Sequence, residues 1–205
     1  PDFRPGLIAA AKELLFIYPD QAFIPGKGGV YPGELETSRT TKNGFTFQLR
    51  PVKISDEPLV KNFIYSLSEE TMHKRFITRR RDMPHEILQD LFVVIDYTKE
   101  MVILALLQEK NREKVIGVGQ YAISKGNRTA EVSLVIRDDY QNRGIGSEIM
   151  SYMAYLAKKQ GVLGFTAIVL PNNVQILRVL EKAGFGMEKR FSDGVYLVKV
   201  GFREK

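Results

Sequence analysis

The sequence predicts an α/β domain: a mixed, mostly antiparallel sheet of about seven strands flanked by helices. Three observations carry that expectation. Apolar strand-like runs at Met101 to Leu107, Val115 to Ile123 and Ala130 to Ile136 follow one another across short polar turns, as in an antiparallel meander. The third run passes through a glycine-bearing turn straight into helical periodicity. A further strand, a helix and a hairpin follow it.

Taken in order, Leu7, Ile8, Ala11, Leu14 and Leu15 predict one short amphipathic helix, which Tyr18-Pro19-Asp20 and Pro25-Gly26-Lys27-Gly28-Gly29 break. The remainder to Asn43 reads as linker, so residues 1–43 form an expected arm and residues 44–205 the expected domain. Phe45 to Val52 alternates and ends at Pro51, as a first strand does. Ser55-Asp56-Glu57-Pro58 starts a helix whose stripe is Leu59, Val60, Phe63, Ile64 and Leu67. A second start signal, Ser68-Glu69-Glu70-Thr71, leads to Met72, Arg75 and Phe76, and Pro84 to Phe92 makes a further short helix.

After the meander, Ile149, Met150, Met153, Ala154, Leu156 and Ala157 recur at helical spacing from Ile145 to a stop at Gly161. Phe165 to Leu170 is a strand, and Pro171-Asn172-Asn173 opens a helix with Ile176, Leu177, Val179 and Leu180 on its apolar side. Phe185 to Phe191 and Val195 to Phe202 close as a hairpin around Ser192-Asp193-Gly194.

Composition narrows the function. The 205 residues, 44% hydrophobic, suffice for one well-buried domain with an appendage. With no cysteine there is no disulfide framework, thiolate metal site or thiol nucleophile, which suits a cytoplasmic protein. No apolar run reaches a membrane span of ~18 residues, and the N-terminus lacks the order of a signal peptide. The net charge of +6 would attract polyanions. The basic cluster from His73-Lys74-Arg75 to Arg79-Arg80-Arg81 holds one aromatic, Phe76, and no nucleic-acid module, so it reads as a solvated face. His73 and His85 are the only histidines, and neither has a partner at ligand spacing, so no metal site is expected.

The informative stretch is the turn Gln141-Asn142-Arg143-Gly144-Ile145-Gly146. Two glycines allow close approach to the main chain, and first-turn N–H groups with the helix dipole favour a phosphate. A turn that merely lets strand and helix pack would read the same way. No Gly-Lys-Ser/Thr follows, so it is not a P-loop, and the glycine spacing is poor for a dinucleotide fingerprint.

Gln-x-x-Gly-x-Gly after a strand, then the long helix, the strand, the Asn-led helix and Ala183-Gly184-Phe185, resembles the GNAT family of N-acetyltransferases from about Phe45 to Glu204. The resemblance implies that Arg143, Gly144, Ile145, Gly146 and Ser147 cradle the pyrophosphate of acetyl-CoA. It also implies that backbone N–H groups near Val135 and Ile136 polarise the thioester, and that Asn173 sits beside the pantetheine arm. Many members carry a tyrosine as acid for the leaving thiolate where this chain has Leu180, so that acid must come from elsewhere. Asn173 reads equally as a helix N-cap.

Asp56-Glu57-Pro58-Leu59 and the order Ser68, Glu70, Arg75-Phe76 are similar to bacterial protein lysine acetyltransferases. That similarity implies a protein lysine as acceptor, on an enzyme of acyl-CoA metabolism, and a catalytic glutamate at Glu131. Glu131 alternates with Val132 and Leu134 on the strand entering the turn, and it reads also as an edge charge or a partner of Arg128. Pro1-Asp2-Phe3-Arg4 and the helix after it are similar to the C-terminal end of the acetyl-CoA hydrolase/CoA-transferase family, implying an upstream domain of that kind. The expected activity is acetyl transfer from acetyl-CoA to an amine; the alternative is an acyl-CoA-sensing domain without turnover.

Overall fold

The structure, a computed structural model, describes residues 30–76, 96–110, 112–124, 126, 128–182 and 186–202. The expected helices at Leu7 to Leu15 and Pro84 to Phe92, the similarity at Pro1 to Arg4, His85, Arg79 to Arg81 and Ala183-Gly184-Phe185 lie outside the described residues.

One sheet of eight strands organises the domain, in the order β1-β2-β3-β4-β5-β6-β8-β7. The strands are β1 (Thr37–Thr40), β2 (Thr46–Pro51), β3 (Glu100–Glu109), β4 (Arg112–Ile123), β5 (Thr129–Ile136), β6 (Gly164–Val169), β7 (Met187–Ser192) and β8 (Val195–Gly201). Every pairing is antiparallel except β5 with β6. Among the described residues four helices flank the sheet: α1 (Glu57–Tyr65), α2 (Glu69–Phe76), α3 (Ile145–Lys159) and α4 (Val174–Lys182). The β7–β8 turn is the expected Asp-Gly pair, with Asp193 at φ 50° and Gly194 at φ 81° matching the strand twist.

The strand beyond the expected seven is β1, and it corrects the reading of residues 30–43 as linker. Thr37 to Thr40 pair with Leu49 to Thr46 of β2. Tyr152 of α3 donates its hydroxyl to the Leu35 carbonyl at 2.5 Å, and Tyr31 meets Tyr97 edge to face at 6.4 Å. The polar sequence Thr-Ser-Arg-Thr suits an edge strand, which has no partner on one side and little to bury.

The two faces of the sheet carry separate cores. α3 packs with Phe47, Leu49, Ile103, Tyr121, Ala130 and Val132, whereas α1 and α2 pack with Val102, Leu104, Val118 and Val135. On β4, Gly119 lets α3 come close: a Cβ there would stand 2.5 Å from Ile149 Cγ2. That close approach sets the N-terminus of α3 beside the end of β5.

Beneath α1, Arg50 donates to both carboxylate oxygens of Asp56, at 2.6 and 2.9 Å, and to Glu113 at 2.7 Å. Both Arg50 and Asp56 are buried, and Asp56 also accepts the Lys53 N–H at 2.7 Å. The network anchors the entry to α1, since each buried charge depends on the others.

Candidate functional site

The site begins where β5 and β6 part. β6 accompanies β5 only from Thr129 to Glu131, opposite Gly164 to Thr166. On the other side, the Arg137 N–H reaches the Ile116 carbonyl at 2.9 Å and the Ser124 N–H reaches the Thr129 carbonyl at 2.8 Å. Because backbone groups alternate in the neighbour they address, odd-numbered residues of β5 bond to β4 and even-numbered ones face β6. Past the last β6 pairing, the N–H groups of Leu134 and Ile136 therefore point into an opening. Of the two residues named for the thioester, Ile136 has its N–H on this open side, and Val135 has its N–H directed at Val118 of β4.

The turn that closes this opening is shaped by Asn142 at φ 60° and Gly144 at φ 86°, a left-handed region that suits these two residue types. α3 starts at Ile145 with Gly144 as N-cap and no side-chain cap bond. The Gly144 carbonyl takes the N–H groups of Ser147 and Glu148, at 3.1 and 3.2 Å, and the N–H groups of Ile145 and Gly146 have no intrahelical partner. Gln141 straps the turn down, donating at 3.1 Å to both the Ile136 carbonyl and Thr71 Oγ1. Asp138 ties it to the start of α2, accepting from Ser68 N–H at 2.9 Å, Ser68 Oγ at 2.6 Å and Thr71 Oγ1 at 2.7 Å. Burial works to raise the Asp138 pKa, but these hydrogen bonds outweigh it and hold the carboxyl below its ordinary value.

Turn, α2 and α4 enclose a cavity of about 280 Å³. Of the residues expected to hold the cofactor, Val135, Ile136, Gly144, Ile145, Gly146, Ser147 and Asn173 all line it. Arg143 does not. Its guanidinium lies 5.1 Å from the Tyr140 ring centroid and 5.5 Å from that of Phe45, as a flat cation stacks on aromatic faces. Asn173 lines the cavity, and its Oδ1 accepts the Ile176 N–H at 3.4 Å as a weak cap of α4. A Cβ on Gly146 would come 3.1 Å from Leu134 and 3.6 Å from Val179, two cavity-lining side chains, so this glycine serves packing and space together. Leu180 is fully buried in the α3 core instead of facing the cavity.

The charge of the cavity is one-sided. Lys74 and Arg75 of α2 and Arg178 and Lys182 of α4 line it, and among the described residues no carboxylate does. Sequence reasoning missed this. It assigned Lys74 and Arg75 to a solvated basic face, although their spacing from Thr71 already places all three on one side of a helix. A second, more open concavity of about 650 Å³ lies at the β3–β4 hairpin. Its carboxylates are already paired, Glu109 with Lys114 at 3.0 Å and Glu113 with Arg50 at 2.7 Å, so it offers no convergent unsatisfied acid.

Glu131 stands at the apex of the opening, the last residue of β5 paired to β6. It shares a sheet face with Val135, beneath α2, opposite to Val132 and Leu134. Burial raises its pKa, and the positive charge of Arg75 acts against that rise. Arg128, the partner considered from sequence, turns to the Gly161 carbonyl at 3.2 Å. From Glu131 the same face continues outward through Thr166 and Lys199, with Ile168 and Leu197 in the adjacent row. Lys199 is exposed and Leu197 is 42% exposed, so this part of the sheet stands open beside Glu131. Among the described residues no group of histidine, aspartate and glutamate is placed to hold a metal ion, and no helix is long and apolar enough to cross a membrane.

Comparison with known proteins agrees with this arrangement. The family model described as Acetyltransferase (GNAT) domain matches residues 46–186. The chain is 32% identical over 144 residues to Acetyltransferase Pat of Mycolicibacterium smegmatis, covering 70% of this chain and 42% of that protein. It is 29% identical over 113 residues to Acetyltransferase PA5475 of Pseudomonas aeruginosa, covering 55% of this chain and 60% of that one. It thus spans about two-fifths and three-fifths of these relatives. The crystal structure of the GNAT domain of S. lividans PAT superposes with a TM-score of 0.76 at 23% identity, covering 84% of this chain and 99% of that one, a likeness of fold. A cAMP-binding acyltransferase from Mycobacterium smegmatis superposes at 0.56 with 26% identity, over 83% of this chain and 49% of that one. With a parted sheet, a left-handed glycine turn at a helix start and a family match over most of its length, the chain belongs to the GNAT acetyltransferase family.

Proposed function

We propose that the chain transfers the acetyl group of acetyl-CoA to a lysine side chain on a protein, with Glu131 as general base. The observation that carries the proposal is the pairing of two unlike compartments at one strand. On one side lies a cationic cavity at the start of α3; at the apex of the opening stands a half-buried carboxylate. A CoA thioester fits the first. The N–H groups of Ile145 and Gly146 and the N-terminal dipole of α3 suit its pyrophosphate, and Lys74, Arg178 and Lys182 supply countercharge. The N–H groups of Leu134 and Ile136 suit the pantetheine amides and the thioester oxygen.

The chemistry needs an uncharged amine. A lysine ammonium loses its proton to Glu131, directly or through one water, and the freed nitrogen attacks the thioester carbonyl. The new N–C bond forms, the C–S bond breaks, the nitrogen gives up its second proton as the amide forms, and the CoA thiolate takes a proton. With Leu180 buried in the core, that proton comes from a source other than a tyrosine at this position.

A polypeptide acceptor is supported by the open sheet face of Ile168, Leu197 and Lys199 beside Glu131, and by the relatives named Pat. The similarity of Ser55 to Phe76 to protein lysine acetyltransferases favours an enzyme of acyl-CoA metabolism as the acceptor. The test is thiol release from acetyl-CoA with mass spectrometry of candidate acyl-CoA enzymes. Acetyl-lysine on those proteins is expected. Turnover of free polyamines with no protein lysine modified would overturn the acceptor, and acetyl-CoA binding without thiol release would favour a sensing role.

A further inference from the structure

The geometry points to Arg75 as the positioning residue that joins the two compartments: held by Gln120, its guanidinium keeps a positive charge near Glu131 and favours the ionised carboxylate. The inference rests on the reading of Glu131 as the base.

Arg75 occupies the last turn of α2 and lines the cationic cavity with Thr71 and Lys74. Its Nη2 donates to Gln120 Oε1 at 3.3 Å, so the side chain is tied to the sheet and does not extend freely into solvent. Gln120 of β4 lies directly opposite Ser133 of β5, and Glu131 is two residues from Ser133 on the same face. Diagonal neighbours of this kind lie about 7–8 Å apart, within reach of one guanidinium. The bond to Gln120 therefore parks a cation at the apex where β5 and β6 separate.

What else faces Glu131 cannot do this. Across the sheet stand Ala122 of β4 and Thr166 of β6, and along its own strand Thr129 and Ser133 share its face. None of these is charged. From α2 comes Arg75, and among the described residues it alone exerts a charge on Glu131. The relation is mutual: burial pushes the Arg75 guanidinium down to about 10, with Glu131 opposing the fall, so Arg75 stays cationic at neutral pH. α2 in turn is fixed to the glycine turn by Asp138 and Gln141, so the turn and the base share one support.

The sign follows. Removing a nearby cation makes the carboxylate easier to protonate, so the Glu131 pKa rises and the acidic limb of the pH–rate profile moves to higher pH. The experiment compares Arg75→Gln, Arg75→Lys and Glu131→Gln in the full chain. The Glu131 carboxyl is followed by ¹³C NMR titration, its resonance assigned by its loss in Glu131→Gln. Initial rates are taken on a lysine-containing peptide by thiol release.

Arg75→Gln should raise the Glu131 pKa by about one unit or more, and Arg75→Lys should restore most of the difference. On the acidic limb, well below the Glu131 pKa of either protein, the rate of Arg75→Gln should fall about tenfold, while on the plateau at high pH it should come within about threefold of the parent. Acetyl-CoA affinity should change by less than about threefold. An unmoved Glu131 pKa in a folded Arg75→Gln protein would overturn the inference. So would a fall in rate by the same factor at every pH, or an affinity loss that accounts for the whole defect, since Arg75 would then serve structure or phosphate binding. If the pKa moves as expected but Glu131→Gln is as active as the parent, the coupling stands and the base assignment fails.

Discussion

Replacing Gly119 by alanine adds one methyl group at the point where α3 crosses β4. The added Cβ would lie 2.5 Å from Ile149 Cγ2 and 2.8 Å from Met153 Cε, where carbon atoms rest comfortably at about 3.5–4.0 Å. Met153 can swing its terminal methyl aside. Ile149 yields far less readily, because its Cγ2 turns only about Cα–Cβ and a β-branched side chain in a helix is held in one rotamer there. α3 must therefore shift by roughly 1 Å, and overpacking of this kind costs about 1–3 kcal/mol. For a domain of this size that lowers Tm by about 2–10 °C. Gly119 lies opposite Leu134. The displaced helix accordingly carries Gly146 away from Leu134, and acetyl-CoA affinity falls together with stability. Urea unfolding and calorimetric titration read the two effects. Ile149→Ala removes the offending methyl group, so the double variant should be less destabilised than the sum of the single changes by about 1 kcal/mol or more. A Gly119→Ala protein as stable as the parent, or strict additivity with Ile149→Ala, would refute the reasoning.

Three further outcomes are expected. Reversing Arg178 and Lys182 to glutamate should weaken acetyl-CoA binding about tenfold or more at low salt and much less at high salt, in equilibrium titrations at both ionic strengths. Asp56→Ala leaves the buried Arg50 guanidinium with Glu113 as its remaining carboxylate partner and should cost about 3 kcal/mol in urea unfolding. Asp138→Ala should cost about 1 kcal/mol, its carboxylate being exposed. Because its pKa is lowered on folding, that contribution is present above the ordinary aspartate range and fades as pH falls through the folded value, so parent and variant should converge in acid melts.

The strands of the meander, the turn and α3 were legible because each buries one face, which leaves period-two or helical spacing in the sequence. β1 was not legible: an edge strand of Thr-Ser-Arg-Thr buries little and carries no apolar alternation. Within the site, Gly144 could be named from residue type and place, whereas Ile136 was named from the family resemblance. The stacking of Arg143 on Tyr140 and Phe45 was not legible, since it depends on residues close only in the folded chain. The contact of Arg75 with Gln120 spans 45 positions, and no local pattern marks it. Which N–H groups face the opening is a matter of register with β4, a property of pairing that the strand's own sequence does not contain.

The account stands most directly on Glu131. Glu131→Gln keeps the shape of the side chain and removes its basicity, and loss of a positioned general base costs about 10²–10⁴ in rate. The decisive measurement is the pH–rate profile of acetyl transfer for parent and Glu131→Gln, with acetyl-CoA affinity taken on the same samples. The account predicts a kcat lowered at neutral pH by at least about a hundredfold, an acidic limb that disappears, and an unchanged affinity; a variant as active as the parent across the pH range would contradict it.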